Sequence, residues 1–432
     1  MELKTEILPV HFEAQMEMVQ AVSTYLRGFE ATGKVILRWG LVKVEERKVL
    51  LEVASLVCSP SVQHLAIETT MTDSGSGGVH VSLVIPTGVG AAIGGFIGDA
   101  GPIARTLDAV ADSVIVHPNV VNAGSFYSGS SRNIYVDGLT LDRFFEGKVR
   151  LGACQKTKIG LIIDRLDEKS KVTILNSANA MRGVNAIDMV GYVVCEQKVR
   201  VHVSRTEYSH FVGEVENPEV LFQAAEILRE RGANAIAVVT AIDGISAEDV
   251  ATHYMGIGPN PVGAVEALIS RAITWKTGLP CAHAPAYIEG LGESSTLVDP
   301  RAAAEVASGS GLPCVLHGLM HTPKIVERGG IGITDLSAII IPYECAGGLP
   351  AFAALRYNIP LLAVKSNRCT VGVSVDQLSI PTAVVLENYA EAIAFVACLK
   401  AGVNWHNIVG PVGYLSELGL KEPTLSGVKS EL

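Results

Sequence analysis

Five apolar runs of this chain end in, or lead into, residues that can do chemistry. SVIV is followed by His117-Pro118-Asn119, and GLPCAHAP carries Cys281 and His283. GLPCVLHGLMHTP carries Cys314, His317 and His321, SAIIIPY is followed by Glu344-Cys345, and IPLLAV by Lys365-Ser366-Asn367. Four of the eleven histidines lie at these ends. An imidazole exchanges a proton near neutral pH, and a thiol can act as a nucleophile. His117 and His283 are therefore expected as an acid–base pair. Cys345 precedes AFAALRY, whose helix N-terminus would lower a thiol pKa, so it is the candidate nucleophile or proton carrier. Gly347 and Gly348 offer backbone N–H groups for an oxyanion or carboxylate.

The same residue types admit a metal. A zinc set from His117, His283 and His321 would make a metal-dependent hydrolase. The CxH and CxxH spacings of the two GLPC stretches match no closed zinc signature, so an activity without metal or organic cofactor leads. Both cysteines are expected inside buried strands, with the histidines reaching a crevice.

A second polar group surrounds the loop TGVGAAIGGFIGDAGP, which lies between a strand and a helix. Gly88, Gly90, Gly94 and Gly95 would let the backbone approach an anion, and Asp99 would orient it or form a turn. The spacing does not fit GxGxxG opening a helix, and there is no GK[ST], so a nicotinamide site is a minor alternative. Asn119, Asn122 and Ser125 in HPNVVNAGS, with Lys365 and Asn367, complete the expected substrate contacts. Glu266 in GAVEALIS and Arg105 are charges in apolar surroundings. Glu266 suits either a general acid–base role or a buried ion pair.

The elements that must position these residues alternate between strand and helix, which predicts an α/β fold with mostly parallel sheets and right-handed crossovers. In such sheets ligands bind beyond the carboxyl ends of the strands. Residues 1–78 read as a small α+β segment, with a helix in 11–29 and strands in KVILRWGLVKV and KVLLEVASLV. Residues 79–150 read as an α/β domain around the Gly-rich loop, and 151–432 as a second α/β domain.

Composition narrows the partners. Of 432 residues, 48% are hydrophobic and 18% charged, so large cores are available. A net charge of −10 argues against a nucleic-acid partner, and no apolar run reaches the ~18–20 residues of a membrane span. The N-terminus has no apolar signal region. Eight scattered cysteines without a CxxC pair read as reduced thiols of a cytoplasmic protein. High apolar content makes a homo-oligomer plausible.

PTGVGAAIGGFIGDAGPIAR, VHPNVVNA, PVGAVEALIS, LPCAHAP and LPCVLHGL, in this order, resemble the DUF3326 family over roughly 80–375. The resemblance implies a bacterial-type, enzyme-like protein and no particular activity. It implies that the HPN and PCAHAP blocks are fixed elements, whereas the positions of His317 and His321 are not reliably histidine. The resulting expectation is an isomerase, lyase or hydrolase acting on a small carboxylate- or amide-bearing metabolite. A non-catalytic small-molecule sensor is the alternative from another class.

Overall fold

The computed structural model describes residues 1–13, 17–57, 77–94, 99–121, 133–286, 297–303, 311–370 and 372–414. The expected contacts Gly95, Asn122 and Ser125 lie outside these residues. The chain is α/β, with two parallel sheets and an antiparallel sheet at the N-terminus.

The antiparallel sheet begins with β1 (Glu2–His11), β2 (Lys34–Val44) and β3 (Lys48–Val57). β2 and β3 form the hairpin expected from the charged EER turn, and β1 pairs along the full length of β3, from Glu2↔Val57 to His11↔Lys48. Helix α1 (Met18–Glu30) buries Met18 and Val22 in the apolar cluster on one face of this sheet.

A six-stranded parallel sheet has the order β17-β16-β15-β4-β5-β6. It contains β4 (His80–Leu83), β5 (Ser113–Val116), β6 (Asn133–Tyr135), β15 (Leu336–Pro342), β16 (Leu361–Val364) and β17 (Ala383–Leu386). All residues of β4, β5 and β16 are buried, the pattern of parallel strands covered on both faces. Alternate residues of β15 divide between two cores. Ala338 and Ile340 face the layer of α2 (Gly101–Val110), while Ile339 and Ile341 face α3 (Gly138–Phe145).

The second parallel sheet has the order β13-β12-β8-β9. Its strands are β8 (Ile159–Ile163), β9 (Met189–Val194), β12 (Ala235–Thr240) and β13 (Cys281–Pro285). A short antiparallel ribbon pairs β7 (Arg150–Cys154) with β14 (Pro323–Val326). β10 (Val201–Arg205) and β11 (Phe211–Val215) leave the middle of the chain and extend the N-terminal sheet, giving β10-β11-β1-β3-β2.

Helices bind the layers together. α4 (Glu168–Asn185) packs in the core shared by the two parallel sheets, and α5 (Glu219–Glu230) covers the other face of β8 and β12. After α6 (Ala247–Tyr254), the long α7 (Gly263–Thr277) lies between the second parallel sheet and the N-terminal sheet. Its residues Val265, Leu268, Ile269 and Ile273 share one core with Leu3, Ala54 and Leu56.

Two sequence expectations are corrected here. The second GLPC stretch is not a strand but the start of helix α8 (Leu312–Leu319), with Gly311 as N-cap and Pro313 in the first turn. In the first stretch Gly278, at φ +70°, ends α7 before β13. The same letters thus stop one helix and start another. A short apolar run carries no period that separates these cases. The boundaries expected near 78 and 150 are also crossed. β4, β5 and β6 share a sheet with strands of 336–386, and β10 and β11 join the sheet of residues 1–57.

Candidate functional site

From β4 the six-stranded sheet grows outward through β5 and β6. From β15 it grows the other way, through β16 and β17. The direction therefore switches between β4 and β15, and loops leaving such a switch diverge and open a crevice. The loops after these two strands, residues 84–89 and 344–348, line a cavity of ≈ 160 Å³. His117, Asn119, His283, Cys345, Gly347 and Gly348, all expected at one site, line it together.

Each makes a specific contact. The Ile85 N–H donates to His117 Nε2 at 3.1 Å, and Asn119 Nδ2 donates to the Ile85 carbonyl at 2.7 Å. The HPN block thus clamps both backbone polar groups of one residue, Ile85, at the switch point. Accepting at Nε2 places the His117 proton on Nδ1. Burial, then the positive charges of Arg271 and Arg38, push its pKa down to about 3. His117 is a neutral imidazole with one nitrogen occupied, which does not suit the expected proton-transfer role.

His283 is held differently. It lies on the same face of β13 as the fully buried Cys281, as i and i+2 residues of a strand should. Its Nε2 is 2.8 Å from Thr240 Oγ1, at the end of β12, and its Nδ1 is 3.3 Å from Glu266 Oε1 on α7. Both line the cavity, but the His283 side chain is 0% exposed and that of Glu266 14%, so the carboxylate is the more accessible member.

The cavity also contains charges that sequence reasoning missed. Arg38 enters from β2, donating to the Thr87 carbonyl at 3.3 Å and lying 3.6 Å from Glu52. Glu52 also accepts from His210 Nε2 at 3.0 Å. Burial raises the Glu52 pKa, but Arg38, His210 and Arg271 outweigh it and hold the carboxyl below its ordinary value. Arg271, one helical turn beyond Glu266, donates through Nε and Nη2 to Asp142 at 3.1 and 2.9 Å. A Cβ on Gly138 would lie 2.4 Å from Arg271 Nη1, so the guanidinium needs a glycine there. A usable signal was the polar strip Glu266, Ser270 and Arg271 along an apolar helix. Nothing in the sequence announced Arg38, because the N-terminal hairpin reads as a separate unit.

The Cys345 thiol is paired and not next to a helix N-terminus. Cys345 lies 3.3 Å, sulfur to sulfur, from Cys369. The hydrogen bond with Cys369, burial and the nearby charges of Cys369 and Glu344 raise its pKa well above the ordinary value. It is not the activated thiolate expected from a helix N-terminus. The helix is present as α9 (Leu349–Tyr357), but its N-cap is Gly348, three residues further on. The Gly347 and Gly348 N–H groups have no hydrogen-bond partner among the described residues. Gly347 is also packed so closely that a Cβ would lie 2.4 Å from the Leu41 carbonyl oxygen.

Other expected contacts lie elsewhere. Lys365 forms an exposed ion pair with Glu387 at 2.9 Å. Asn367 is buried and accepts from the Ile93 N–H at 2.8 Å, while its Nδ2 donates to the Ile93 carbonyl and Tyr389 Oη. Its amide anchors the Gly-rich loop instead of a substrate. Asp99 accepts from the Gly101 N–H at the start of α2, and burial raises its pKa to about 6. A Cβ on Gly90 would clash with Thr370 Oγ1 and one on Gly94 with Ile85, so these glycines serve packing. Gly88 lines a smaller neighbouring cavity beside Arg38 and Glu52. Arg105 is exposed on α2.

His321 is not among the cavity's lining residues, and its ring lies 5.2 Å from that of His317, tilted by 48°. Among the described residues no group of three or more His, Cys, Asp or Glu side chains is placed to hold a metal ion. The set His117, His283 and His321 does not form a ligand cluster.

Comparison with known proteins gives the cavity relatives but no chemistry. An uncharacterised lipoprotein from Synechococcus sp. (strain ATCC 27144 / PCC 6301 / SAUG 1402/1) is 32% identical over 331 residues, covering 74% of this chain and 91% of that protein. Among the described residues no helix is long and apolar enough to cross a membrane. No solved structure matches the chain. The family model described as "Protein of unknown function (DUF3326)" matches residues 80–409, which carry every cavity residue named here except those of the N-terminal sheet, and the chain belongs to that family.

Proposed function

We propose that the crevice is a catalytic site for acid–base chemistry on a small, carboxylate-bearing metabolite, and that the reaction is an isomerisation or elimination. One observation carries this reading: the chain Thr240–His283–Glu266 ends at a cavity that Arg38 and Arg271 also line. A carboxylate on a rigid helix, backed by an imidazole, can take a proton from carbon or return it. Two guanidinium groups nearby can hold the substrate carboxylate and stabilise the negative charge that develops as the proton leaves. His117, kept neutral, adds polarity without a competing charge. The Gly347 and Gly348 amides also line the cavity, where they can hold a second oxygen.

In this reading Glu266 is the catalytic acid–base. His283 is a positioning residue that sets the orientation of the Glu266 carboxylate. The test is deuterium exchange. Two- to six-carbon hydroxy-, keto- and dicarboxylates are screened by thermal shift, and the stabilising acids are incubated with protein in D₂O. Incorporation next to the carboxylate is expected, falling at least ~100-fold in Glu266→Gln, with binding retained. Arg271→Gln should lose binding. A stabilising acid that exchanges no proton, bound equally well by Glu266→Gln, would favour the sensor reading instead.

A further inference from the structure

The geometry points to a second reactive element beside the crevice: Cys345 and Cys369 form a dithiol pair that closes to a disulfide by exchange with a small oxidised thiol. The sulfurs lie 3.3 Å apart on the turns that leave the adjacent parallel strands β15 and β16. A disulfide needs ~2 Å, so closure asks for movement of only about 1 Å.

The surrounding turns already hold the two cysteines in register. The Cys369 N–H donates to Glu344 Oε2 at 3.0 Å, and the Ala346 N–H donates to the Val373 carbonyl at 2.8 Å. Gly372 packs against the Glu344 carbonyl so closely that no side chain fits. The pair is therefore a built contact between two fixed turns.

The two thiols differ in access, which orders the reaction. Cys369 is half-buried and Cys345 is buried at 6% exposure. Cys369 attacks the small disulfide as thiolate, forms a mixed disulfide and releases one thiol. Cys345 then gives its proton to solvent and attacks the Cys369 sulfur, releasing the second thiol. Two protein thiols are oxidised and one small disulfide is reduced to two thiols. The hydrogen bond with Cys369, burial, and the charges of Cys369 and Glu344 all hold the Cys345 proton. The charge of Cys369 is gone once it carries the mixed disulfide, which favours the second step after the first.

The cross-link would lock the crevice wall at residues 344–348 onto residues 367–370, whose Thr370 also bonds to the Val89 carbonyl of the Gly-rich loop. It would hold whichever ligand wall the crevice presents, and it does not depend on Glu266 acting as a base. In the test, the full chain is equilibrated with oxidised and reduced glutathione, quenched in acid, alkylated and mapped by peptide mass. A Cys345–Cys369 peptide is expected as the main oxidised product, together with a rise in thermal midpoint of ~5 °C that reductant reverses. Cys345→Ser should instead accumulate glutathione on Cys369. The idea is overturned if wild-type protein keeps a stable mixed disulfide on Cys369. It is equally overturned if Cys345 stays a free thiol under conditions that modify the exposed Cys154.

Discussion

His117 and His283 line the same cavity, both buried, the first just beyond a parallel-sheet strand and the second within one, yet their surroundings differ in kind. His117 faces a backbone N–H and two guanidinium groups, so it stays neutral and its free lone pair is occupied. His283 faces a hydroxyl and a carboxylate, partners that exchange protons. The residue type and the cavity are the same on both sides. The partners supplied by neighbouring elements make one a clamp on the backbone at Ile85 and join the other to a hydroxyl and a carboxylate.

Substitution of each histidine by glutamine is the strongest way to break this contrast. Glutamine keeps an acceptor for the Ile85 N–H but cannot relay a proton. His283→Gln should lower deuterium exchange on a bound acid by ~100-fold, and His117→Gln by no more than ~10-fold. Equal losses would abolish the distinction.

Acid stability sharpens it next. An unfolded chain protonates His117 below about pH 6.5, whereas the folded protein resists until about pH 3. The unfolded state then binds more protons, so this contribution is complete above pH 6.5 and is lost as pH falls toward 3. Between pH 7 and 5 it amounts to about 2 kcal/mol. Buried His253, lowered to about 4, acts in the same direction, and Asp99, raised to about 6, acts in the opposite one. Urea unfolding at the two pH values should show His117→Gln losing about 2 kcal/mol less than wild type.

The smallest effect is expected at a strand end outside the crevice. Lys365→Ala removes an exposed ion pair and should change stability by no more than ~0.5 kcal/mol, with no change in binding of a stabilising acid. Loss of binding would place the strand-end lysine back in the site.

Much of this site was legible because parallel strands announce themselves as continuous apolar runs, and the residue after each run falls at one edge of a sheet. His117, Asn119, Cys345, Gly347 and Gly348 follow from that rule, and His283 lies on such a strand. What the rule cannot supply is the partner of each side chain. Glu266 was visible as a charge in an apolar helix, but its pairing with His283 depends on how α7 docks on β13. Arg38 belongs to an antiparallel hairpin, and only the docking of that hairpin on α7 brings it to the cavity. Lys365 and Asn367 obey the strand-end rule yet lie outside the crevice, because β16 lies beyond the switch point and its loop packs on the Gly-rich loop. The second GLPC stretch failed at a more local level. Pro313 is as suitable for a first helical turn as for the residue before a strand.

The six-stranded sheet also sets the order in which the molecule can be made. β4 pairs with β15, as in His80↔Leu336, so its first half waits for a partner while the whole middle of the chain emerges. The middle sheet, from β8 to β13, is complete by Pro285 and can fold around α5 and α7 beforehand. The crevice has its walls on both sides of that wait. It comes into being only when residues near 345 return to meet those near 85, and until then the apolar strand β4 has an open edge. A chain built this way should fold slowly and lean on chaperones during synthesis, with ligand binding as the last property it acquires.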